Sequence, residues 1–312
     1  MHRFWPDTSR VSTHTSSALA VGPRAAYFFA AASTIIYSSP PVVTCAVSVG
    51  VPPLALSLSR WAIALVILLP WASRRLGREW PKLKVHWPAL VFTASFMIVG
   101  STLSVVAVYF TTATNAVLVN ASQPAVTALV AWLIAGTRLL PAQRLGIACA
   151  FAGVVVMIAR ADLDVLLGFE LNVGDLVMLT AVLGWSIYAV LLPRRSYVPD
   201  GAVLMFLIAL SGTVFLLPAY LIEAAYVGPF AVTREVGAAM LYLAIFPTLL
   251  ATVAWNVAIR ALGPNRAAIF TNLIPVSGAV LAMIFLGERL YAYHLVGAVF
   301  VFAGIYLAVR QR

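Results

Sequence analysis

The sequence predicts an all-α integral membrane protein in which ten transmembrane helices form two inverted five-helix repeats. Three observations support this prediction: the bulk composition, a series of apolar runs, and a proline-containing helix that occurs twice. Of the 312 residues, 62% are hydrophobic and only 10% are charged, whereas soluble domains carry about a quarter charged residues. So little polar surface excludes a water-exposed globule and indicates a chain embedded in lipid.

Ten apolar runs lie between polar breaks, and each is long enough to cross about 30 Å of hydrocarbon as a helix. Lipid tolerates only helices or closed barrels, and the continuous hydrophobicity of these runs favours helices. We expect a cytoplasmic tail at 1–24, repeats at 25–160 and 174–312, and an outer linker at 161–173. The predicted spans are 25–43, 54–71, 88–110, 115–134, 142–159, 174–192, 202–222, 237–258, 265–286 and 292–309.

The net charge of +10 is distributed unevenly along the chain. With the N-terminus inside, most Lys and Arg fall in the inner tail and loops, above all in the segment 74–84, while most acids fall outside. This distribution is the positive-inside pattern, and it places both termini in the cytoplasm. A bacterial inner membrane is the expected location. A nucleic-acid binder would need one clustered basic surface, so we expect no nucleic-acid partner.

A helix interrupted by a proline occurs twice in the chain. VNASQPAVTALVAWLIAGTRL at 119–139 aligns without gaps to FTNLIPVSGAVLAMIFLGERL at 270–290, so that Pro124 matches Pro275 at a shift of 275 − 124 = 151 residues. Earlier spans fit more loosely at a shift of 148. Glycines of the next helix also match, Gly146 with Gly297 and Gly153 with Gly304.

Because each copy holds five spans, the two copies must cross the membrane in opposite directions. Inverted repeats support a site near the midplane that is reached alternately from either face. A duplicated bundle with prolines that only kink its helices is the alternative. Pro124 and Pro275 each free a carbonyl four residues back, at Asn120 and Thr271, and these groups either face a wet cavity or are satisfied by neighbouring hydroxyls.

Residues 270–290, followed by Gly297 and Gly304, resemble the second signature of EamA-type transporters of the drug/metabolite transporter superfamily. Residues 252–276 and 174–191 are similar to the same family, and the resemblance covers about 25–310. It implies two inverted five-helix halves around a central cavity, and export or exchange of small metabolites. Within the family, amino-acid exporters are the first comparison, on overall likeness.

Arg60 is the only charged residue clearly inside a predicted span, where a charge costs about 2.5–3.5 kcal/mol. It either attracts an anionic group such as a carboxylate or extends to the outer interface. Other candidates are polar and aromatic residues that repeat at helical spacing, although many such groups only hold helices together. The full set of candidate substrate-binding residues is Tyr37, Ser38, Arg60, Asn120, Gln123, Trp185, Tyr188, Trp255, Asn256 and Asn272.

The sequence contains no pattern for a metal, a cofactor or an enzyme. Cys45 and Cys149 lack partner spacing, and neither His-Glu-x-x-His nor Gly-x-Ser-x-Gly occurs within the spans. No Asp, Glu or His lies deeper than a span end, since Asp175 and Glu288 fall at the outer edge. We therefore expect facilitated diffusion or exchange rather than proton-driven pumping.

Together these features predict a carrier that exports or exchanges small metabolites by alternating access, with amino acids, including aromatic ones, as the first candidate. A nucleoside, a sugar or an organic cation is the alternative substrate. A channel is a further alternative, although channels are typically symmetric oligomers with a ring of filter groups. The expected partners are the small-molecule substrate and the lipid bilayer, and both a monomer and a homodimer are compatible with the small-residue helix faces.

Overall fold

The computed structural model describes residues 22–136, 139–160, 162, 172–262, 270–271 and 273–309. Helices dominate these ranges, and none of the described residues forms a strand. A 3₁₀ turn, Leu192–Arg194, extends α7, and a π-helical segment, Ala244–Leu250, joins α9 to α10. The α-helices are α1 Pro23–Ser38, α2 Pro40–Val47, α3 Pro53–Ala107, α4 Ala113–Asn120, α5 Gln123–Ala135, α6 Pro141–Ile158, α7 Val173–Leu191, α8 Gly201–Val227, α9 Arg234–Leu243, α10 Ala251–Leu262, α11 Leu273–Leu286 and α12 Ala292–Val309.

Six helical segments of the described chain are long and apolar enough to cross a membrane, and the bent pair α4–α5 makes a possible seventh. The predicted all-helical membrane class is therefore confirmed. Two further apolar helices, α11 and α12, are too short in their described apolar parts to enter this count. The prediction of ten spans is not confirmed by this count, partly because α3 is counted as a single segment.

Helix α3 runs from Pro53 to Ala107, so the predicted loop at 72–87 between the second and third spans is wrong. Its 55 residues keep a helical hydrogen-bonding pattern through Pro70, Pro81 and Pro88, because a proline can kink a helix without ending it. The helix is nevertheless not straight. Arg60 and Ser101 are hydrogen-bonded, although 41 residues of straight helix would separate them by about 60 Å at 1.5 Å per residue. The chain therefore reverses direction between them, and α3 has two antiparallel arms.

Prolines and glycines set many of the helix boundaries. Proline stands in the first turn of α1, α2, α3 and α6, where its missing N–H would have no helical partner. Helix α5 ends at Gly136, whose φ of 63° is left-handed and suits a residue without a side chain. Side chains cap other helices: Asn172 accepts from the N–H of Gly174 at 2.8 Å, and Asp200 accepts from that of Ala202 at 3.0 Å.

Helices that occupy equivalent places in the two sequence copies run antiparallel to each other. In α6 and α12, Gly153 packs on Gly297 and Gly146 packs on Gly304. An added Cβ at Gly304 would lie 2.4 Å from the Gly146 carbonyl oxygen, so the two backbones are in direct contact. This pairing places the small-residue faces of α6 and α12 against each other within one chain.

The first arm of α3 and helix α8 form a second antiparallel pair of repeat-equivalent helices. At one end, the Glu223 carboxylate accepts from the N–H groups of Leu54 and Ala55 at 3.1 and 3.2 Å. At the other end, Arg75 forms an ion pair with Asp200 at 2.7 Å. Between these ends, Trp61 is buried in an apolar core with Ile208 and packs on α8. Opposite ends of the two elements therefore meet, which fixes their antiparallel direction.

Candidate functional site

A central cavity of about 540 Å³ lies among α1, α2, both arms of α3, α4, α5, α7, α8, the π-helical segment, α10 and α11. This volume falls within the range of roughly 300–1,000 Å³ that small-molecule sites occupy. Most of the predicted candidate residues share it although they come from five distant parts of the chain. Those that line the cavity are Tyr37, Ser38, Arg60, Asn120, Gln123, Trp185, Tyr188 and Trp255.

Two predicted candidates are not placed in this cavity. Asn256 lies one residue beyond Trp255 on α10, and its side chain is exposed and absent from the lining. Adjacent residues of a helix point about 100° apart, and here Asn256 points away from the cavity that Trp255 lines. Asn272 lies outside the described residues.

Arg60 is the buried cation of the cavity. Only 8% of the residue is exposed, one terminal nitrogen donates to Ser101, and the guanidinium carbon lies 5.2 Å from the centroid of the Trp61 ring. Within the described part of the chain, no carboxylate forms an ion pair with it. Its Nε is also buried without a hydrogen-bond partner there. An uncompensated buried charge is costly, so the site is suited to an anionic group that enters the cavity.

Aromatic side chains form one wall of the cavity. The rings of Trp185 and Tyr188, one helical turn apart on α7, meet edge to face with centroids 6.5 Å apart. Gly100 lets α7 approach closely, because an added Cβ there would lie 3.0 Å from Trp185 Cδ1. The Tyr37 hydroxyl donates to Thr252 at 3.1 Å and links α1 to α10 across the cavity. This wall can pack against a flat apolar group of a ligand.

The break between α4 and α5 supplies amide groups. The two helices meet at 43°, with Ala121 and Ser122 between them and Pro124 in the first turn of α5. The side-chain amides of Asn120 and Gln123 flank this break, and neither has a hydrogen-bond partner among the described residues. A second cavity of about 410 Å³ also lies at the break and shares Asn120 and Gln123 with the central cavity, and Pro124 and Pro275 both contribute to its lining.

Sequence reasoning missed two lining prolines, Pro40 and Pro247, that lie at irregular backbone. Pro247 and Thr248 belong to the π-helical segment, where the Thr248 hydroxyl donates to the Leu243 carbonyl five residues back at 2.8 Å. Pro40 follows the α1–α2 junction inside the first span. π-Helical turns and prolines inside spans often mark functional sites. Pro40 and Pro247 could therefore have indicated these positions in the sequence. A comparison limited to prolines present in both repeats does not include them, because their equivalents in the other repeat are not prolines.

Comparisons with known proteins agree with this architecture. A model of the EamA-like transporter family matches residues 24–159 and 172–310. The chain is 26% identical over 267 residues to an uncharacterized transporter of Archaeoglobus fulgidus, covering 83% of this chain and 89% of the relative. It is 28% identical over 201 residues to the uncharacterized transporter YyaM of Bacillus subtilis, covering 64% and 65% of the two chains.

Two further similarities concern a named pump and a known fold. The chain is 30% identical over 180 residues to a probable amino-acid metabolite efflux pump of Salmonella typhimurium, covering 55% of this chain and 59% of that protein. A chain of known crystal structure superimposes with a TM-score of 0.59 at 20% identity, covering 92% of this chain and 97% of that one. The second similarity concerns the fold alone.

Proposed function

Because the chain belongs to the EamA-like transporter family and is a multi-pass membrane transporter, we propose that it is a carrier that exports or exchanges small metabolites by alternating access. The proposed substrates are amino acids, including aromatic ones. The observation that supports this proposal most directly is the buried, uncompensated Arg60 in a central cavity of about 540 Å³. A carboxylate that enters the cavity would satisfy this cation.

The proposed topology has ten spans in two inverted halves. The two arms of α3 add one span to the six long segments, the broken pair α4–α5 adds another, and α11 and α12 add two more. Antiparallel packing of α6 on α12 and of the first arm of α3 on α8 is the relation that an inverted repeat requires. Because the glycine faces of α6 and α12 are covered within the chain, we propose a monomer as the functional unit.

The proposed orientation places both termini in the cytoplasm of a bacterium. The part of α3 between its arms carries Arg74, Arg75, Arg78, Lys82 and Lys84, whereas Glu223 and Glu288 lie at the opposite end of the bundle. Cationic loops face the cytoplasm in most multi-pass proteins. We call the end that contains Glu223 and Glu288 the outer end on this basis.

The cavity lining supports an amino acid as substrate. Arg60 would bind the carboxylate, the aromatic wall of Trp185 and Tyr188 would pack against an aromatic side chain, and the amides of Asn120 and Gln123 would bind polar groups. The name of the Salmonella relative, a probable amino-acid metabolite efflux pump, agrees with this choice. The same amides suit a nucleoside or a sugar, so these solutes are the second candidates.

A counterflow screen tests the proposal. Purified protein in liposomes preloaded with an unlabelled amino acid should accumulate the labelled form transiently and saturably, and nucleosides, sugars and organic cations serve as the comparison panel. Ohmic conductance without counterflow would instead establish a channel. We also propose that flux follows the substrate gradient, so a pH gradient alone should drive no concentrative uptake.

A further inference from the structure

A chain of hydrogen-bonded polar side chains joins α4, α7 and α12 at the outer end. Asn115 Nδ2 donates to Asp175 Oδ2 at 3.1 Å, and the Thr111 hydroxyl donates to Asp175 Oδ1 at 2.5 Å. Asn115 Oδ1 lies 2.7 Å from Nε2 of His294. We call these four residues the polar relay. Asp175 is 1% exposed and His294 is 3% exposed, and no member of the relay lines the central cavity.

The donors and acceptors of the relay define one protonation state. Because Nδ2 of Asn115 donates to Asp175, its Oδ1 must accept, and Nε2 of His294 must therefore carry a proton. The other ring nitrogen, Nδ1, accepts from the N–H of Tyr291 at 3.0 Å and so carries none. The imidazole is consequently neutral, and both oxygens of Asp175 have hydrogen-bond partners. A proton added to Nδ1 would face another donor and break the bond to Tyr291.

The first repeat shows that this capping bond does not need a histidine. Gln143 is the repeat equivalent of His294, since 143 + 151 = 294, and Leu140 is likewise the equivalent of Tyr291. The Gln143 side-chain oxygen accepts from the N–H of Leu140 at 3.0 Å, the same bond at the same distance. A glutamine therefore caps α6 as well as His294 caps α12. The titratable ring is an additional property of the second copy.

We propose that His294 is a proton-binding site whose occupation opens the polar relay. The inner and outer assignment and the movement of the two halves rest on the proposed function, whereas proton binding at His294 does not. A free imidazole takes up its proton below about pH 6.5. In the intact relay Nδ1 already accepts from Tyr291, so the relay is intact at neutral pH and opens only in more acidic solution. The ligand is the proton itself, and the site is distinct from the substrate cavity.

Other ionisable groups around His294 do not restore the relay once the ring is charged. Asp175 faces it through Asn115, Tyr291 and Tyr293 lie beside it, and Arg160 and Glu288 act on this cluster through space. The Glu288 carboxylate is already bound by the N–H groups of Ala113 and Thr114 at 2.8 Å. A charged ring that turns toward Asp175 or Glu288 must leave its bonds to Tyr291 and Asn115. A charged ring that stays in place keeps its bond to Asn115 but holds its Nδ1–H group against the N–H of Tyr291, and turning the ring to relieve this contact breaks the connection between α4 and α12.

Opening the relay would act on the central cavity through α4. This helix has only eight residues, begins beside the relay and ends at Asn120, which lines the cavity. Thr111 and Asn115 belong to the first half, and Asp175 and His294 belong to the second. The relay thus holds the two halves together at the outer end. We expect its loss to increase access to the cavity from outside.

Thermal unfolding of the full chain in detergent tests proton binding, with His294→Gln as the variant that Gln143 shows to be compatible with the fold. At about pH 7.5 the two proteins should unfold at the same temperature. Between about pH 6.5 and pH 5.5 the unfolded wild-type chain binds a proton at His294 that the folded chain with its intact relay excludes. The equilibrium constant for folding of the wild-type protein should therefore fall by up to about tenfold relative to that of His294→Gln. Equal pH dependence of the two proteins would overturn the proposal.

Cysteine labelling tests the opening itself. Ser104 lines the cavity, so Ser104→Cys in a background with Cys45→Ala and Cys149→Ala reports access for an impermeant thiol reagent added outside. Rates are normalised to the denatured protein at each pH. We expect equal rates with His294 and with His294→Gln at neutral pH, and a several-fold faster rate with His294 in acid. If the ratio of the two labelling rates does not change with pH, the opening of the relay is refuted. A failure of the counterflow screen would leave the unfolding result unaffected.

Discussion

Replacing Arg60 with glutamine should remove carboxylate binding without unfolding the protein. Arg60 is 8% exposed and forms no ion pair with a described acid, so the contacts that the variant loses are those with the Trp61 ring and with Ser101. A hydrogen bond to a charged group contributes about 1.5–3 kcal/mol. Since 1.4 kcal/mol corresponds to a factor of ten, the half-saturating concentration of a carboxylate substrate should rise roughly ten- to 150-fold.

Counterflow in liposomes with an amino acid and its amide derivative measures this loss directly. The two ligands share shape and differ in the carboxylate, so the wild-type protein should prefer the acid and Arg60→Gln should not discriminate between them. Arg75→Gln is the matched control, because it removes the same charge at an exposed ion pair with Asp200 outside the cavity. Exposed pairs contribute about 0.2–1 kcal/mol, so this control should keep near wild-type transport.

Two results would refute the assignment of Arg60. The first is unchanged transport of the acid by Arg60→Gln at a wild-type unfolding temperature. The second is an equal loss of transport for the acid and for the amide, which would indicate that Arg60 supports the shape of the cavity and does not bind the carboxylate. A lower unfolding temperature of the variant would also contradict the view that the charge is unnecessary for folding.

Three further perturbations test the packing and the cavity. Gly304→Ala should destabilise the purified protein by about 1–3 kcal/mol in thermal unfolding, because the added Cβ would lie 2.4 Å from the Gly146 carbonyl oxygen. Gly237→Ala is the control, since the nearest neighbour of its Cβ lies at 3.9 Å, and it should have little effect. Glu288→Ala should cost about 1–2 kcal/mol, measured in the same way, because two N–H groups at the start of α4 lose their acceptor. Trp185→Leu should weaken counterflow competition by aromatic amino acids by about 0.5–1.5 kcal/mol while leaving that of alanine unchanged, and an equal effect on both would remove the ring from the site.

The helical membrane class was predictable because lipid allows few alternatives. Long apolar runs have to be helical, and the matching glycines at 146, 153, 297 and 304 indicated which helices can pack closely. The course of α3 was not predictable by the same reasoning. Pro70, Pro81 and Pro88 mark breaks in most sequences, whereas here the helix continues through them, and the contact of Arg60 with Ser101 shows that it turns back.

The cavity was predictable to the extent that polar residues inside spans must turn away from lipid. This argument brought Tyr37, Asn120 and Trp185 to one cavity, although it could not separate Trp255 from its neighbour Asn256. The polar relay was not predictable. Its members come from 111–115, 175 and 294, each stood near the end of a predicted span, and their burial results from tertiary packing that one span does not reveal.

Comparison of equivalent positions in the two repeats separates residues that the fold requires from residues that it does not require. Residues that recur in both copies, such as the glycines of α6 and α12, meet a packing requirement that both halves share. Arg60 instead corresponds to Ile208 at a shift of 148 residues, and Ile208 is fully buried in an apolar core. The fold therefore accepts an apolar side chain at this position, and a charge that costs about 2.5–3.5 kcal/mol in a membrane serves no folding purpose there. The same comparison of His294 with Gln143 gives the same conclusion at the outer end: the bundle departs from its own symmetry where we propose that a substrate or a proton binds.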